Sequence, residues 1–364
     1  MADRFLERIR RAAGQAGEAG LDGLLATPGP DLRYLTGHAP PPLERLTLLV
    51  LHPDRDPVML VPALERPAAV AAPGTSSVEL AAWSDGEDPY AVAAGLLHPG
   101  RYAIADQTWA SHVLGLVEAV PGCTFVPRGR HLPLLRARKD DDEIQLLSRA
   151  AAGADASFRA VKTHTFAGRR EEEIAEDLAE LLRAHGHQSV DFTIVASGPN
   201  AASPHHTAGE RIMKLGDAVV LDFGGFASDY GSDITRTVVI GEPPEGFEEV
   251  YGVVRRAQQA AFEAVRPGAH PEEIDRAARA MIEDAGYGEH FIHRTGHGIG
   301  LETHEEPYIV AGNATPLEPG MTFSIEPGIY LAGRFGVRIE DIVAVTDGGA
   351  VRLNEATREL QVVR

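Results

Sequence analysis

Apolar and polar positions are patterned differently in the two parts of this chain. In the first third, short apolar runs at Leu21 to Ala26, Leu46 to His52, Pro57 to Val61, Val78 to Ala81, Tyr102 to Ala105 and Thr124 to Val126 are separated by candidate helices and broken by Pro and Gly clusters. Short runs bounded in this way predict strands, and their alternation with helices predicts an α/β unit. The opening stretch, Met1 to Gly20, places Phe5, Leu6 and Ile9 among Asp3, Arg4, Glu7, Arg8, Arg10 and Arg11. That spacing suits an amphipathic helix and lacks the apolar core of an export signal.

The texture changes at the charged run Arg136 to Asp142, so the domain boundary is placed there: residues 1–135 form one domain and residues 136–364 a second. Asp140 or Asp141 is expected to start a helix, because carboxylates suit a helix N-terminus. Two helical segments, about Asp141 to Lys162 and Glu171 to His185, then lead to apolar runs at Asp191 to Ala196, Ala218 to Phe223 and Ile234 to Ile240. Two more, about Phe247 to Val265 and Pro271 to Ala285, lead to runs at Met321 to Ile325 and Val337 to Val345. The repeated order predicts an α+β domain built from a duplicated helix-helix-strands unit around one shared antiparallel sheet.

Composition narrows the class. The residues are 44% hydrophobic, and no apolar run approaches the roughly 18 to 20 residues that cross a bilayer. A net charge of -19 without a basic run argues against nucleic acid and anionic membranes as partners. Cys123 is the only cysteine, which excludes an intramolecular disulfide and makes the cytoplasm the default location.

Five residues of metal-ligand type then stand out in the C-terminal domain: Asp222, Asp233, His297, Glu326 and Glu340. Asp222 closes one apolar strand and Asp233 opens the next, so a hairpin could bring both carboxylates to one site. Taken singly, each has an ordinary explanation. An Asp can cap a turn, His297 in Gly296-His297-Gly298 can be a loop residue, and Glu340 can pair with Arg338 two positions away on the same strand face. Glu326, at the end of the buried run Met321 to Ile325, needs a partner in any case. Jointly they favour a centre for two divalent cations, and two such ions about 3.5 to 4 Å apart activate water for hydrolysis. Other catalytic classes fit less well. His304-Glu305-Glu306-Pro307-Tyr308 departs from HExxH, since Tyr308 replaces the second histidine and Pro307 would break the helix; the chain has no GxSxG elbow and no Walker A loop.

The segments SGPNAASPHH, LDFGG, SDITRTVVIG, RTGHGIGLETHEEP, MTFSIEPGIY and GVRIEDIV, in this order from about Arg136 onward, resemble the pita-bread metallopeptidases of family M24. Pro30 to Gly37, PDLRYLTG, resembles the N-terminal creatinase-like domain of the prolidase and aminopeptidase P branch, which methionine aminopeptidases lack. The resemblance implies a pita-bread catalytic domain behind a smaller α/β domain. It assigns Asp222 to one metal, His297 and Glu326 to the other, and Asp233 and Glu340 to both, with Glu326 also accepting a proton. Mn(II) suits this oxygen-rich set, with Co(II), Fe(II) and Zn(II) as competitors.

By the same resemblance, His205 and His304 are catalytic histidines that contact the substrate, and Arg338 orients Glu340. His206, His293 and Tyr308 are further candidates for substrate contact. The implied reaction is hydrolysis of the Xaa-Pro bond at the N-terminus of short proline-containing peptides by a homodimeric cytoplasmic enzyme. Xaa-Pro dipeptidase is the main reading and Xaa-Pro aminopeptidase the alternative, because Tyr308 stands where some prolidases carry an arginine for the dipeptide carboxylate, while the short N-terminal domain is nearer to compact prolidases. A creatinase-like amidinohydrolase and a non-catalytic pita-bread protein are more remote, since all five ligands are intact.

Overall fold

A computed structural model describes residues 2–364; Met1, where the first helix was expected to begin, lies outside the described residues. The chain divides into two units between residues 136 and 137. In the first, six strands, β1 (Gly23–Ala26), β2 (Leu48–Leu51), β3 (Val58–Pro62), β4 (Glu79–Trp83), β5 (Gly100–Ile104) and β6 (Cys123–Pro127), form a mixed sheet in the order β4-β3-β2-β1-β5-β6. All six apolar runs of the first third contribute strands to it. The helix Ala2–Glu18 buries Phe5, Ile9, Ala12 and Ala16, which recur at helical spacing on one face. Asp31 on the helix Pro30–Thr36 is buried and holds both Arg128 Nε at 3.0 Å and Arg136 Nε at 2.8 Å, so this unit carries its own buried charge network.

The second unit opens with the helix Asp141–Val161. Asp140 caps it by accepting from Glu143 N at 2.9 Å while Glu143 returns the bond to Asp140 N at 3.0 Å. Leu147, Ala150, Ala151, Ala154, Phe158 and Val161 form its buried stripe. With the helix Glu171–Ala184 it covers a four-stranded sheet ordered β17-β9-β8-β7, where β7 is Ser189–Ser197, β8 Ala218–Ala227, β9 Tyr230–Ile240 and β17 Gln361–Val363. Val219, Leu221 and Phe223 of β8 and Ile234 and Val238 of β9 enter the core with Phe158, Ile174, Leu178 and Leu182. Asp222, one position out of phase, turns to the opposite face. A one-residue slip in register would exchange core and site, and the burial of Leu221 and Phe223 opposes it.

After the helices Phe247–Ala264 and Pro271–Asp284, the remaining strands are β10 (Gly296–Gly298), β11 (Glu305–Ile309), β12 (Thr322–Ile325), β13 (Gly328–Leu331), β14 (Phe335–Arg338), β15 (Asp341–Thr346) and β16 (Gly349–Arg352). They form a five-stranded sheet β11-β10-β12-β15-β16 and a separate hairpin β13-β14. The single shared antiparallel sheet expected from the sequence is therefore two sheets and a ribbon, and β17 joins β9 in parallel. The expected strand Val337 to Val345 is likewise divided. The chain leaves the β13 ladder after Arg338, and Glu340 N donates instead to Thr235 O of β9 at 3.0 Å. Thr237 Oγ1, bonded to both Arg338 N at 3.0 Å and Arg338 O at 2.9 Å, ties the same junction to β9.

Candidate metal centre

The β8-β9 hairpin turns at Ser228 and Asp229, both at positive φ, and pairs Asp222 with Thr235 and Gly224 with Asp233. Both aspartates thus sit well inside the strands rather than at the strand ends the sequence suggested, because the ladder continues through the glycine-rich segment to Ala227. His297 projects from β10 between two glycines that admit neighbouring backbone. A Cβ at Gly296 would meet Ser324 O at 1.9 Å, and one at Gly298 would meet the backbone of Glu306 at 2.4 Å. Glu326 follows β12 and is fixed by Glu326 N to Thr295 O at 2.8 Å. Glu340 occupies the junction between β14 and β15.

These five side chains converge. Ligand atoms of Asp233, His297 and Glu340 lie within 4.8 Å of one another. His297 Nε2 is 3.6 Å from Asp233 Oδ2 and 3.3 Å from Glu326 Oε1. Its Nδ1 faces Gly298 O at 3.2 Å, which places the ring proton there and leaves the Nε2 lone pair toward the carboxylates. Burial, reinforced by the neighbouring His304, lowers the His297 pKa to about 3, so the ring is neutral. Asp233 is pushed well above the usual carboxylate range by burial, then by the charges of Glu340, Asp222 and Glu326, and Glu340 by burial, then by those of Glu326 and Asp222. Glu326 rises to about 7, through burial first and the Asp222 charge, against the pull of Arg338.

Asp222 Oδ1, Asp233 Oδ1 and Glu340 Oε1 are buried with no hydrogen-bond partner. Four ionised carboxylates packed around Arg338 would leave a net charge of -4 + 1 = -3 in a buried cluster, which must be offset by bound protons or by cations. The donor set, oxygen-rich with one neutral imidazole, therefore fits divalent metal ions.

Arg338 is fully buried and committed. Its Nε bonds Thr235 Oγ1 at 3.2 Å, Nη1 bonds Tyr330 Oη at 2.7 Å, and Nη2 reaches Pro204 O at 3.3 Å and Asp222 Oδ2. Its direct carboxylate partner is thus Asp222 rather than Glu340. It reaches Glu340 through Thr235, whose hydroxyl donates to Glu340 Oε2 at 2.6 Å. Tyr330 Oη, accepting from Arg338, can donate onward to His293 Nε2 at 2.8 Å, while His293 Nδ1 faces Arg294 O at 2.7 Å. Burial and the Arg338 charge lower His293 to about 4.

The five ligand-type residues, Arg338, His205, His293 and His304 all line one cavity of about 620 Å³. The His304 ring lies 4.1 Å from that of His297. His206 does not share this cavity: its Nε2 lies 2.7 Å from Glu171 Oε2. Tyr308 does not line it either, and stands behind Arg294, whose guanidinium is 4.3 Å above its ring. Asp191, Phe192, Ile194, Pro204, Arg294 and Thr303 complete the wall. Sequence reasoning assigned none of them a role, nor Thr235, Tyr330 or Glu171. Pro204, Thr235, Arg294, Thr303 and Tyr330 do fall within the quoted motifs, which was the available signal.

Two family models match the chain: "Metallopeptidase family M24" over residues 145–347 and "Creatinase/Prolidase N-terminal domain" over residues 8–138. The chain is 46% identical over 366 residues to the probable dipeptidase PepE of Mycobacterium tuberculosis, covering 100% of this chain and 97% of that protein. It is 37% identical to the Xaa-Pro dipeptidase of Lactobacillus helveticus, with 91% and 92% covered. The crystal structure of dipeptidase PepE from Mycobacterium ulcerans superposes with a TM-score of 0.94 at 45% identity, covering 100% of this chain and 98% of that one.

Proposed function

The chain belongs to metallopeptidase family M24, and from that premise we propose that it hydrolyses the Xaa-Pro bond of dipeptides with two divalent cations, Mn(II) foremost. The observation that carries the reading is the set of three unpartnered carboxylate oxygens, on Asp222, Asp233 and Glu340, beside the neutral His297 at a cavity of peptide-binding size. Asp222 would hold one ion, His297 and Glu326 the other, and Asp233 and Glu340 both. When bound, such a pair supplies Lewis acidity toward the scissile carbonyl and lowers the pKa of water.

The chain's own residues do the rest. Glu326 accepts a proton, its Oε1 held by Ser324 Oγ at 3.1 Å. His205 and His304 hydrogen-bond the peptide from the cavity wall. Arg338 and Thr235 fix Asp222 and Glu340 so that their free oxygens keep their direction. Proline suits such a site because its nitrogen has no N–H, so recognition cannot depend on that donor.

Support for the dipeptide comes from the names of two relatives, a probable dipeptidase and an Xaa-Pro dipeptidase. The proposal extends to a homodimer in the cytoplasm; among the described residues no helix is long and apolar enough to cross a membrane. Turnover of Leu-Pro beside Leu-Pro-Leu by Mn-loaded protein, with metal analysis before and after chelation, tests it. Preference for the tripeptide would select the aminopeptidase alternative, and full turnover by metal-free protein would refute the metal reading. Sedimentation velocity checks the dimer.

A further inference from the structure

Arg236 is a charge on the core face of β9. Ile234 and Val238, two positions to either side, enter the apolar core, and Arg236 shares their phase with its side chain fully buried. A guanidinium in that position is costly unless each of its five N–H groups finds an acceptor. All of them do. Nε donates to Thr357 O at 2.8 Å, Nη1 to Thr235 O at 2.9 Å and to Glu340 O, and Nη2 to Asp341 Oδ1 at 2.6 Å and Ala356 O at 2.8 Å. Asp341 is held in turn: Gln258 Nε2 donates to its Oδ2 at 3.0 Å, and Arg352 Nε and Arg358 Nε each lie 3.4 Å from the same oxygen. The cavity wall does not include Arg236, so this network stands behind the metal centre rather than in it.

The two acceptors on Nη1 are the informative pair. Thr235 and Glu340 already meet twice, through Glu340 N to Thr235 O at 3.0 Å and through Thr235 Oγ1 to Glu340 Oε2 at 2.6 Å. Nη1 clips their two main-chain carbonyls together as well, at the place where the chain has left the β13 ladder. Asp233 lies two positions before Thr235 on the same strand, so this clip fixes how far Asp233 stands from Glu340. We propose that Arg236 is a positioning residue of the metal centre: it sets the spacing of Asp233 and Glu340, the two carboxylates that would hold both cations. Because its remaining donors go to Ala356 and Thr357, that spacing depends on the C-terminal segment leading into β17. The assignment rests on the two-cation reading above and names the residue that keeps the bridging carboxylates in register.

The test is Arg236→Lys, which keeps a charge beside Asp341 but, with three N–H groups on one nitrogen, cannot reach all five acceptors. The metal-free variant should fold with a lowered melting temperature. Calorimetric titration with Mn(II) should give an affinity about ten- to hundredfold below the wild type, the range for losing a group that orients metal ligands. Electron paramagnetic resonance of the loaded protein should show the exchange-coupled pair of the wild type replaced by uncoupled ions. An arginine that only stabilises the fold would move the melting temperature alone. Lys139→Met supplies that comparison, since it breaks another buried pair of the same unit, Lys139 Nζ to Glu305 Oε1 at 2.6 Å; it should melt lower yet bind Mn(II) within about threefold of the wild type. Should Arg236→Lys fail to fold, Asp341→Asn, which keeps the shape and withdraws the charge facing Nη2, should weaken Mn(II) binding and coupling in the same direction. Wild-type affinity and coupling in the folded variant, or an equal loss of affinity in Lys139→Met, would overturn the proposal. A wild type that binds no Mn(II) would overturn the two-cation reading and the proposal with it, a result distinct from undiminished binding in the variant.

Discussion

Removing the Glu171 carboxylate should disable the enzyme from a distance. Glu171 begins the helix Glu171–Ala184, where the helix N-terminus favours a negative charge, and its side chain is fully buried. Oε1 accepts from Ser197 N at 2.7 Å, Ser197 Oγ at 2.6 Å and Asn200 Nδ2 at 3.1 Å, and Oε2 lies 2.7 Å from His206 Nε2. The carboxylate therefore gathers the start, the middle and the end of the segment that carries His205 into the cavity. Glu171→Ala strands the Ser197 N–H, the Asn200 amide and the His206 ring; at roughly 1 to 3 kcal/mol for the buried Ser197 N–H and about 1 kcal/mol for each of the two half-buried groups, a loss of about 3 to 5 kcal/mol follows. Glu171→Gln keeps the shape but turns one acceptor into a donor facing donors, for about 2 kcal/mol. His205 would also shift, and a displacement on the order of 1 Å costs about a hundredfold in rate. Urea unfolding gives the first quantity and kcat on Leu-Pro the second. His206→Ala should destabilise by about 1 to 2 kcal/mol yet keep kcat within a few fold, whereas His205→Ala should spare stability and lower kcat by about a hundredfold or more. Wild-type stability and kcat in Glu171→Gln, or equal kcat losses from the two histidine variants, would refute the reasoning.

Three further outcomes are expected. Asp233→Asn should abolish turnover and, in metal-free protein, melt above the wild type because it relieves like charges in a buried cluster; adding Mn(II) should reverse the order, and a calorimetric melt that keeps it contradicts the metal reading. Lys139 Nζ and Glu305 Oε1 form a buried pair at 2.6 Å, so Lys139→Met should cost about 3 to 5 kcal/mol in urea and Lys139→Met with Glu305→Met much less, a recovery that fails if the pair is not coupled. His293, with a folded pKa near 4 against an ordinary 6.5, takes up its proton in the unfolded chain first as pH falls. Stability should therefore drop by about 3 kcal/mol between pH 6.5 and 4, and His293→Gln should flatten that part of the curve; an unchanged curve rejects the assignment.

What the sequence revealed and what it concealed differ in the range of the interactions involved. Strands and helices were legible because Leu221 and Phe223, or Leu147, Ala151, Ala154 and Phe158, repeat with the period of their own element. The five ligand-type residues were legible because each lies in a short motif with glycine, serine or proline that makes room for it. The break at Ile339 and Glu340 was not, since Gly336 to Val345 reads as one apolar run and only the bond from Glu340 N to Thr235 O, 105 residues away, parts it. The same holds for Thr235, Tyr330 and Glu171: common residue types whose value arises from partners far along the chain.

That distinction bears on how this site can be altered. The ligand carboxylates conflict with folding, because burial sets them against one another and leaves three of their oxygens unpartnered. The residues that position the site are satisfied: Arg338 has four partners, Thr235 joins it to Glu340, and Glu171, which holds the segment carrying His205, has bonds from three residues. Substitutions in the first group trade activity for stability of the metal-free chain, whereas substitutions in the second lose both.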